Sequence, residues 1–180
     1  MKKILTILAD GFEEIEAIAV ADVLKRAGFS VCLAGLDTLC VRGAHDMKIT
    51  ADCLLSEIKN ETFDAIYLPG GLPGATNLLE SETVGEILKK TANNGGIVSA
   101  ICAAPIVLAK HGLLEGKTFT MYPGFDDYLN GLRPTGNPAE SCDRVVTGKG
   151  PGAVFAFAEK LSSALGTDLK NLYNGMFVEL

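Results

Sequence analysis

Cys102 stands between an apolar run, GGIVSAI, and an alanine-rich stretch, AAPIVLAK. A strand that turns straight into a helix holds its turn residue in a strained, exposed elbow. The helix start directs partial positive charge at that side chain and favours thiolate, the reactive form of cysteine. The competing reading is a small buried apolar residue, as expected for Cys32. A nucleophilic cysteine commonly works with a base, and the chain has two histidines. His111 follows Cys102 by nine residues, roughly 13.5 Å of helical rise, which is out of hydrogen-bond reach. Its expected place is a helix C-terminus, where the dipole favours it. His45 lies in an irregular stretch and stays open. The remaining candidates are carboxylates: Glu13, Glu14 and Glu16 fall together in the first turn of an expected helix, where acids are common for electrostatic reasons alone. Periodicity does not choose cleanly among the three: Glu16 shares a face with Val20 and Val23 and leans inward more than Glu14, which faces with Ile18 and Ala21. A carboxyl pressed into an apolar site keeps its proton and can pass it on. Gly70 and Gly71 let backbone approach a ligand closely, and their N–H groups could stabilise an oxyanion.

These residues need a frame to bring them together. Lys3–Ala9, Ser30–Gly35, Ala65–Leu68, Gly96–Ile101 and Arg144–Thr147 read as short buried strands. Glu13–Ala27, Ser81–Asn94, Ala103–Lys110 and an apolar stretch opening at Pro151-Gly152 read as helices, with a final helical turn or two at Thr167–Tyr173. In the first helix Ile15, Ala19, Val20, Val23 and Ala27 form the expected core stripe. Val41 and Lys48-Ile49-Thr50 are expected to pair as a hairpin. Strands alternating with helices imply a mostly parallel sheet covered on both faces, with ligands bound at the strands' carboxyl ends. Asp10-Gly11-Phe12-Glu13, Pro69-Gly70-Gly71 and Cys102 each follow a strand, so all three belong on that rim.

The chain has 180 residues, 48% of them hydrophobic and 21% charged, with 16 basic against 22 acidic side chains. One domain spanning 1–180 is expected. A net charge of −6 without a basic run disfavours nucleic acid and anionic membranes. The apolar runs are too short for a membrane helix or a secretory signal, so a cytoplasmic protein is expected. Its five cysteines then read as thiols; Cys40, Cys53 and Cys142 have no assigned reactivity. No CxxC pair is present, and no metal site is expected. The loop GKGPG at 148–152 lacks Walker spacing, and no GxGxxG follows the first strand, so no nucleotide cofactor is expected.

Taken together, LADGFEEIEA (8–17), LKRAGFSVCLAG (24–35), LPGG (68–71), AICAAP (100–105) and GKGPG (148–152) resemble the ThiJ/PfpI superfamily, in its Parkinson-disease protein deglycase branch. The resemblance covers nearly the whole chain. It implies a flavodoxin-like three-layer sandwich with a nucleophile elbow, and a homodimer. It implies Cys102 as the reactive cysteine and Glu16 as its proton-bearing partner. Gly70, Gly71 and Ala103 supply backbone donors, and Arg26 is a basic residue near the pocket. Without the resemblance Arg26 reads as a helix-end charge. Tyr122 stands where the family's best-known member has a pocket histidine, and it does not titrate near pH 7. His45 falls where relatives place a basic residue across the dimer interface. The peptidase-like branches carry histidine directly after the cysteine; Ala103 here argues against a peptidase or amidase. The implied activity is cofactor-free conversion of small reactive carbonyls, or repair of glycated protein. The alternative is a redox-sensing or chaperone-like protective protein that uses the same oxidisable thiol.

Overall fold

The fold, taken from a computed structural model that describes residues 1–180, is built on one seven-stranded sheet. In chain order its elements are β1 (Lys3–Leu8), α1 (Glu14–Arg26), β2 (Ser30–Gly35), β3 (Cys40–Arg42), β4 (Lys48–Thr50), β5 (Cys53–Leu54), α2 (Leu55–Ile58) and β6 (Ala65–Leu68). There follow α3 (Gly74–Glu80), α4 (Glu82–Asn93), β7 (Ile97–Ile101), α5 (Pro105–Lys110), β8 (Ala139–Cys142), β9 (Val145–Gly148), α6 (Val154–Ala164) and α7 (Lys170–Met176). The sheet order is β5-β2-β1-β6-β7-β9-β8, parallel except for β8 against β9. The expected hairpin forms between β3 and β4.

Strand alternation produces the layers. In β6, Ile66 and Leu68 join a core with Ala75 and Leu78 of α3, Val84 and Leu88 of α4, and Ile106 of α5. Ala65 and Tyr67 point the other way, into a core with Val20 and Leu24 of α1 and Phe157 and Leu161 of α6. A strand buried on both faces needs apolar residues at every position, which is why β6 reads as an unbroken run.

Several expectations change. Ile15 is exposed, and the buried residues of α1 are Glu14, Glu16, Ala17, Val20, Ala21, Val23 and Leu24, so Glu14 and Ala21 are covered although Ile18, on their expected face, is not. The helix after Cys102 begins at Pro105, not Ala103, since proline fits a first helical turn and Ala103-Ala104 form the elbow itself. The segment after Pro151 first makes a short 3₁₀ turn before α6 begins. Unanticipated are β5 with α2, α3 and the edge strand β8.

The order β1-β6-β7 is what assembles the site. The carboxyl ends of these three neighbours carry Asp10–Glu13, Pro69–Gly71 and Cys102 side by side. No helix is long and apolar enough to cross a membrane.

Candidate active site at the carboxyl rim of the sheet

Cys102 follows the last residue of β7 with φ 62, the left-handed region that L-residues avoid. Its neighbours over-determine that conformation. Its N–H donates to the Gly148 carbonyl at 2.9 Å, and its carbonyl accepts from the Tyr122 N–H at 2.9 Å. The side chain is half-buried and packs against both cores.

Glu16 reaches the same spot from α1 and is fully buried. Its Oε2 accepts the Gly70 N–H at 2.7 Å. Its Oε1 is buried with no hydrogen-bond partner. A Cβ placed on Gly70 would lie 2.6 Å from Cys102 Cβ and 2.9 Å from Glu16 Oε2. The glycine therefore lets cysteine and carboxyl close on one another. Gly71, at φ 87, lets the β6 loop press against the β1 loop, where a Cβ would meet Glu13 N at 2.4 Å. Beneath them the buried Tyr67 hydroxyl donates to the Glu16 carbonyl at 2.9 Å and anchors the first turn of α1.

The Gly70 N–H is thus engaged by Glu16 and is not a free oxyanion donor. The N–H groups of Gly71 and Ala103 are the ones that face the Cys102 sulfur and lower its pKa. They do not prevail. Burial, then the charge of Glu16 and its hydrogen bond, push the Cys102 thiol up to about 12. The expected helix-assisted thiolate is not favoured while Glu16 is ionised: α5 is six residues long, and a buried carboxylate opposes a second negative charge. Burial likewise raises Glu16 to about 7, against the Gly70 N–H and the Cys102 hydrogen bond. Near neutrality Glu16 is therefore poised to take or give a proton, and the thiol keeps its own until a reaction draws it away.

His45 and Glu14 form a separate clamp. Against burial, which raises it, the His45 hydrogen bonds hold Glu14 below the usual carboxylate range. Its Oε1 accepts the His45 N–H at 2.7 Å, and Oε2 meets Nδ1 at 2.8 Å. His45 Nδ1 also lies 3.7 Å from Glu13 Oε2, and His45 is raised, first by the Glu14 hydrogen bond. The spacing of Glu13, Glu14 and His45, within 4.8 Å, could hold a metal ion, although His45 already occupies both Glu14 oxygens.

The other candidates divide. Tyr122 is half-exposed beside the elbow, its ring against Gly150, and it lines a cleft of about 400 Å³ with Pro138 and Lys149. Arg26 is not brought to the site. It pairs with Asp22 at 2.6 Å on the exposed end of α1, about 15 Å along the helix from Glu16, as a helix-end charge does. His111 caps α5 with its ring against Gly85 of α4. Burial, followed by Lys89 and Lys110, lowers its pKa, so the dipole does not hold a charged ring there. Sequence reasoning missed the Tyr67 anchor and the His45–Glu14 clamp. A tyrosine in a fully buried strand was the available signal for the first, because its hydroxyl must find a partner.

The sequence profile of the DJ-1/PfpI family matches residues 2–164. The chain is 41% identical over 167 residues to Protein dj-1beta of Drosophila melanogaster, covering 91% of this chain and 89% of the relative. It is 41% identical over 154 residues to the glutathione-independent glyoxalase DJR-1.2 of Caenorhabditis elegans, covering 85% and 82%. The solved structure of oxidized Toxoplasma gondii DJ-1 superposes with a TM-score of 0.94 at 35% identity and covers 100% of both chains.

Proposed function

The chain belongs to the DJ-1/PfpI family, and from that premise we propose that it is a cofactor-free enzyme converting small α-oxoaldehydes to hydroxy acids. The observation that carries this reading is the strained, half-buried Cys102 with the fully buried Glu16 carboxyl beside it. The relative named a glutathione-independent glyoxalase supports the same class of reaction.

The Cys102 sulfur adds to the aldehyde carbon as Glu16 carboxylate accepts the thiol proton. Gly71 and Ala103 N–H groups steady the oxygen of the resulting hemithioacetal. Glu16 returns that proton to the hemithioacetal oxygen. Again a carboxylate, it takes the proton from the former aldehyde carbon and delivers it to the neighbouring carbon through an enediol. The neighbouring oxygen gains a proton as the hydroxyl on the former aldehyde carbon loses one, leaving a thioester on Cys102. Water cleaves the thioester, releases the hydroxy acid and restores the thiol. A Glu16 pKa of about 7 suits both directions of transfer. Early glyoxal adducts on protein carry the same carbonyl oxidation state and are the larger substrates of this reading. The five free thiols fit a reducing, cytosolic compartment. A second copy of the chain over the outer face of α1, where Ile15 and Ile18 are exposed, completes the proposal.

Lactate formation from methylglyoxal, without glutathione or added metal, tests it. Wild type is expected to turn over, and Cys102→Ser to lose activity while staying folded. Turnover unchanged in Cys102→Ser would overturn the assignment.

A second reading has its own support. The unpartnered Glu16 Oε1 could hydrogen-bond an oxygen added to the Cys102 sulfur, and one structural relative was solved oxidized. Folded wild type that fails to turn over any glyoxal, yet takes up oxygen selectively at Cys102 with peroxide, would favour redox sensing.

A further inference from the structure

Two cysteines outside the site lie together. Cys32 Sγ is 3.6 Å from Cys53 Sγ, and neither is in a disulfide. Strands β2 and β5 run parallel at one edge of the sheet, with Ala34 opposite Cys53. Cys32 precedes Ala34 by two residues, so strand alternation places both cysteines on one face. Both pack against the core formed with α3, α4 and α5. Between them the strands are tied: the Leu33 N–H donates to Asp52 Oδ2, and the Asp52 N–H donates to the Leu33 carbonyl, each at 2.8 Å.

A cavity of about 140 Å³ lined by Lys3, Ser30, Cys32, Ile58, Glu61 and Phe63 reaches the Cys32 side chain. Lys3 and Ser30 begin β1 and β2, so this opening lies at the amino ends of the strands. Cys102 lies at the carboxyl ends. A small oxidant therefore has a route to Cys32 that does not pass the active site. A disulfide has sulfurs about 2.05 Å apart, so closure requires a movement of roughly 1.5 Å. β5 is two residues long and lies at the sheet edge, where such a shift disturbs little.

We propose that Cys32 and Cys53 form a second thiol site, a dithiol that a peroxide converts to a disulfide joining β2 to β5. One sulfur, on losing its proton, attacks a peroxide oxygen. The O–O bond breaks, the departing oxygen leaves as water or alcohol, and a sulfenic acid remains. The second sulfur attacks the first, the S–O bond breaks and water leaves with the second thiol proton. Two thiols lose two electrons and the peroxide gains them. Burial, with Cys53 next, raises the Cys32 thiol to about 12, so Cys32 rests as the thiol. The bond would close the segment that holds the β3–β4 hairpin and His45, so the base of the His45–Glu14 clamp would be covalently fixed.

The test uses the full reduced chain, wild type and Cys102→Ala in parallel. Each is treated with hydrogen peroxide, alkylated with iodoacetamide, digested and read by mass spectrometry. The expected product is a linked pair of peptides carrying Cys32 and Cys53, lighter by two hydrogens than their sum and separated by dithiothreitol. It appears in both proteins and is lost in Cys32→Ser and in Cys53→Ser. Oxidised Cys102→Ala is also expected to unfold at higher urea than its reduced form. Recovery of both cysteines alkylated, separate sulfinates on them, or links to Cys40 or Cys142 instead would overturn the proposal. None of these outcomes depends on Cys102 being the nucleophile.

Discussion

Replacing Glu16 with glutamine should make Cys102 a stronger acid and the protein a poorer catalyst. Glutamine keeps the shape and can accept the Gly70 N–H that Glu16 Oε2 accepts at 2.7 Å. It removes the negative charge that, after burial, is the largest cause of the raised Cys102 pKa. Glu16 Oε2 and Cys102 Cβ flank the space over Gly70 at 2.9 and 2.6 Å. A unit charge about 5 Å away, in an effective dielectric of about 20, is worth on the order of 3 kcal/mol, or roughly two pKa units. Starting from about 12, the Cys102 midpoint in Glu16→Gln should fall to roughly 10. The assay is the rate of iodoacetamide labelling against pH, read on the Cys102 peptide so that the other four thiols do not interfere. Methylglyoxal turnover is followed on the same samples. A more reactive thiol together with turnover reduced at least about a hundredfold separates nucleophile activation from proton transfer. A folded Glu16→Gln protein whose Cys102 midpoint stays put or rises would refute the electrostatic reasoning.

The same variant should be more stable than wild type at alkaline pH. Glu16 is raised from 4.5 to about 7 in the fold, so the stability linked to its protonated form is complete below pH 4.5 and lost as pH rises through 7. Urea unfolding at pH 8 should favour Glu16→Gln by on the order of 3 kcal/mol, with the gap closing toward pH 4.5; an equal gap at both pH values would exclude a buried charge as the cause. Gly70→Ala should destabilise the protein by roughly 1–3 kcal/mol and abolish turnover, because its methyl would sit 2.6 Å from Cys102 Cβ; a fully active, equally stable variant would show that this approach is not required. The two histidines should titrate on opposite sides of 6.5 in a carbon-detected NMR titration, His45 above and His111 below, with His45→Gln assigning the signals. A His45 midpoint at or below that of His111 would mean that Glu14 does not hold the ring.

The alternation of short apolar runs with helices was enough to predict a doubly covered parallel sheet, because strands buried on both faces have no polar positions to hide. The elbow was legible for the same reason: GGIVSAI runs into AAPIVLAK with no room for a loop. Helical spacing did not choose among Glu13, Glu14 and Glu16, and it was the family resemblance that singled out Glu16. Ile15 shows the same weakness of the signal, since helical spacing marks an apolar residue without saying which side of the helix is covered. The state of the thiol was not legible. It is set by the distance between a carboxyl from α1 and a sulfur after β7, which depends on sheet order and on a glycine of a third segment. Cys32 and Cys53 illustrate the same limit, since β5 is too short to announce itself as a strand.

Cys102, held at φ 62, occupies a position where glycine is the residue the backbone prefers. Exchanging it for glycine would release about 1 kcal/mol of backbone strain. A mutant library sorted only for heat resistance would therefore enrich Cys102→Gly, and its winners would have no nucleophile. Anyone hardening this protein for use should fix position 102 before diversifying the rest, and should score survivors by carbonyl consumption as well as by melting.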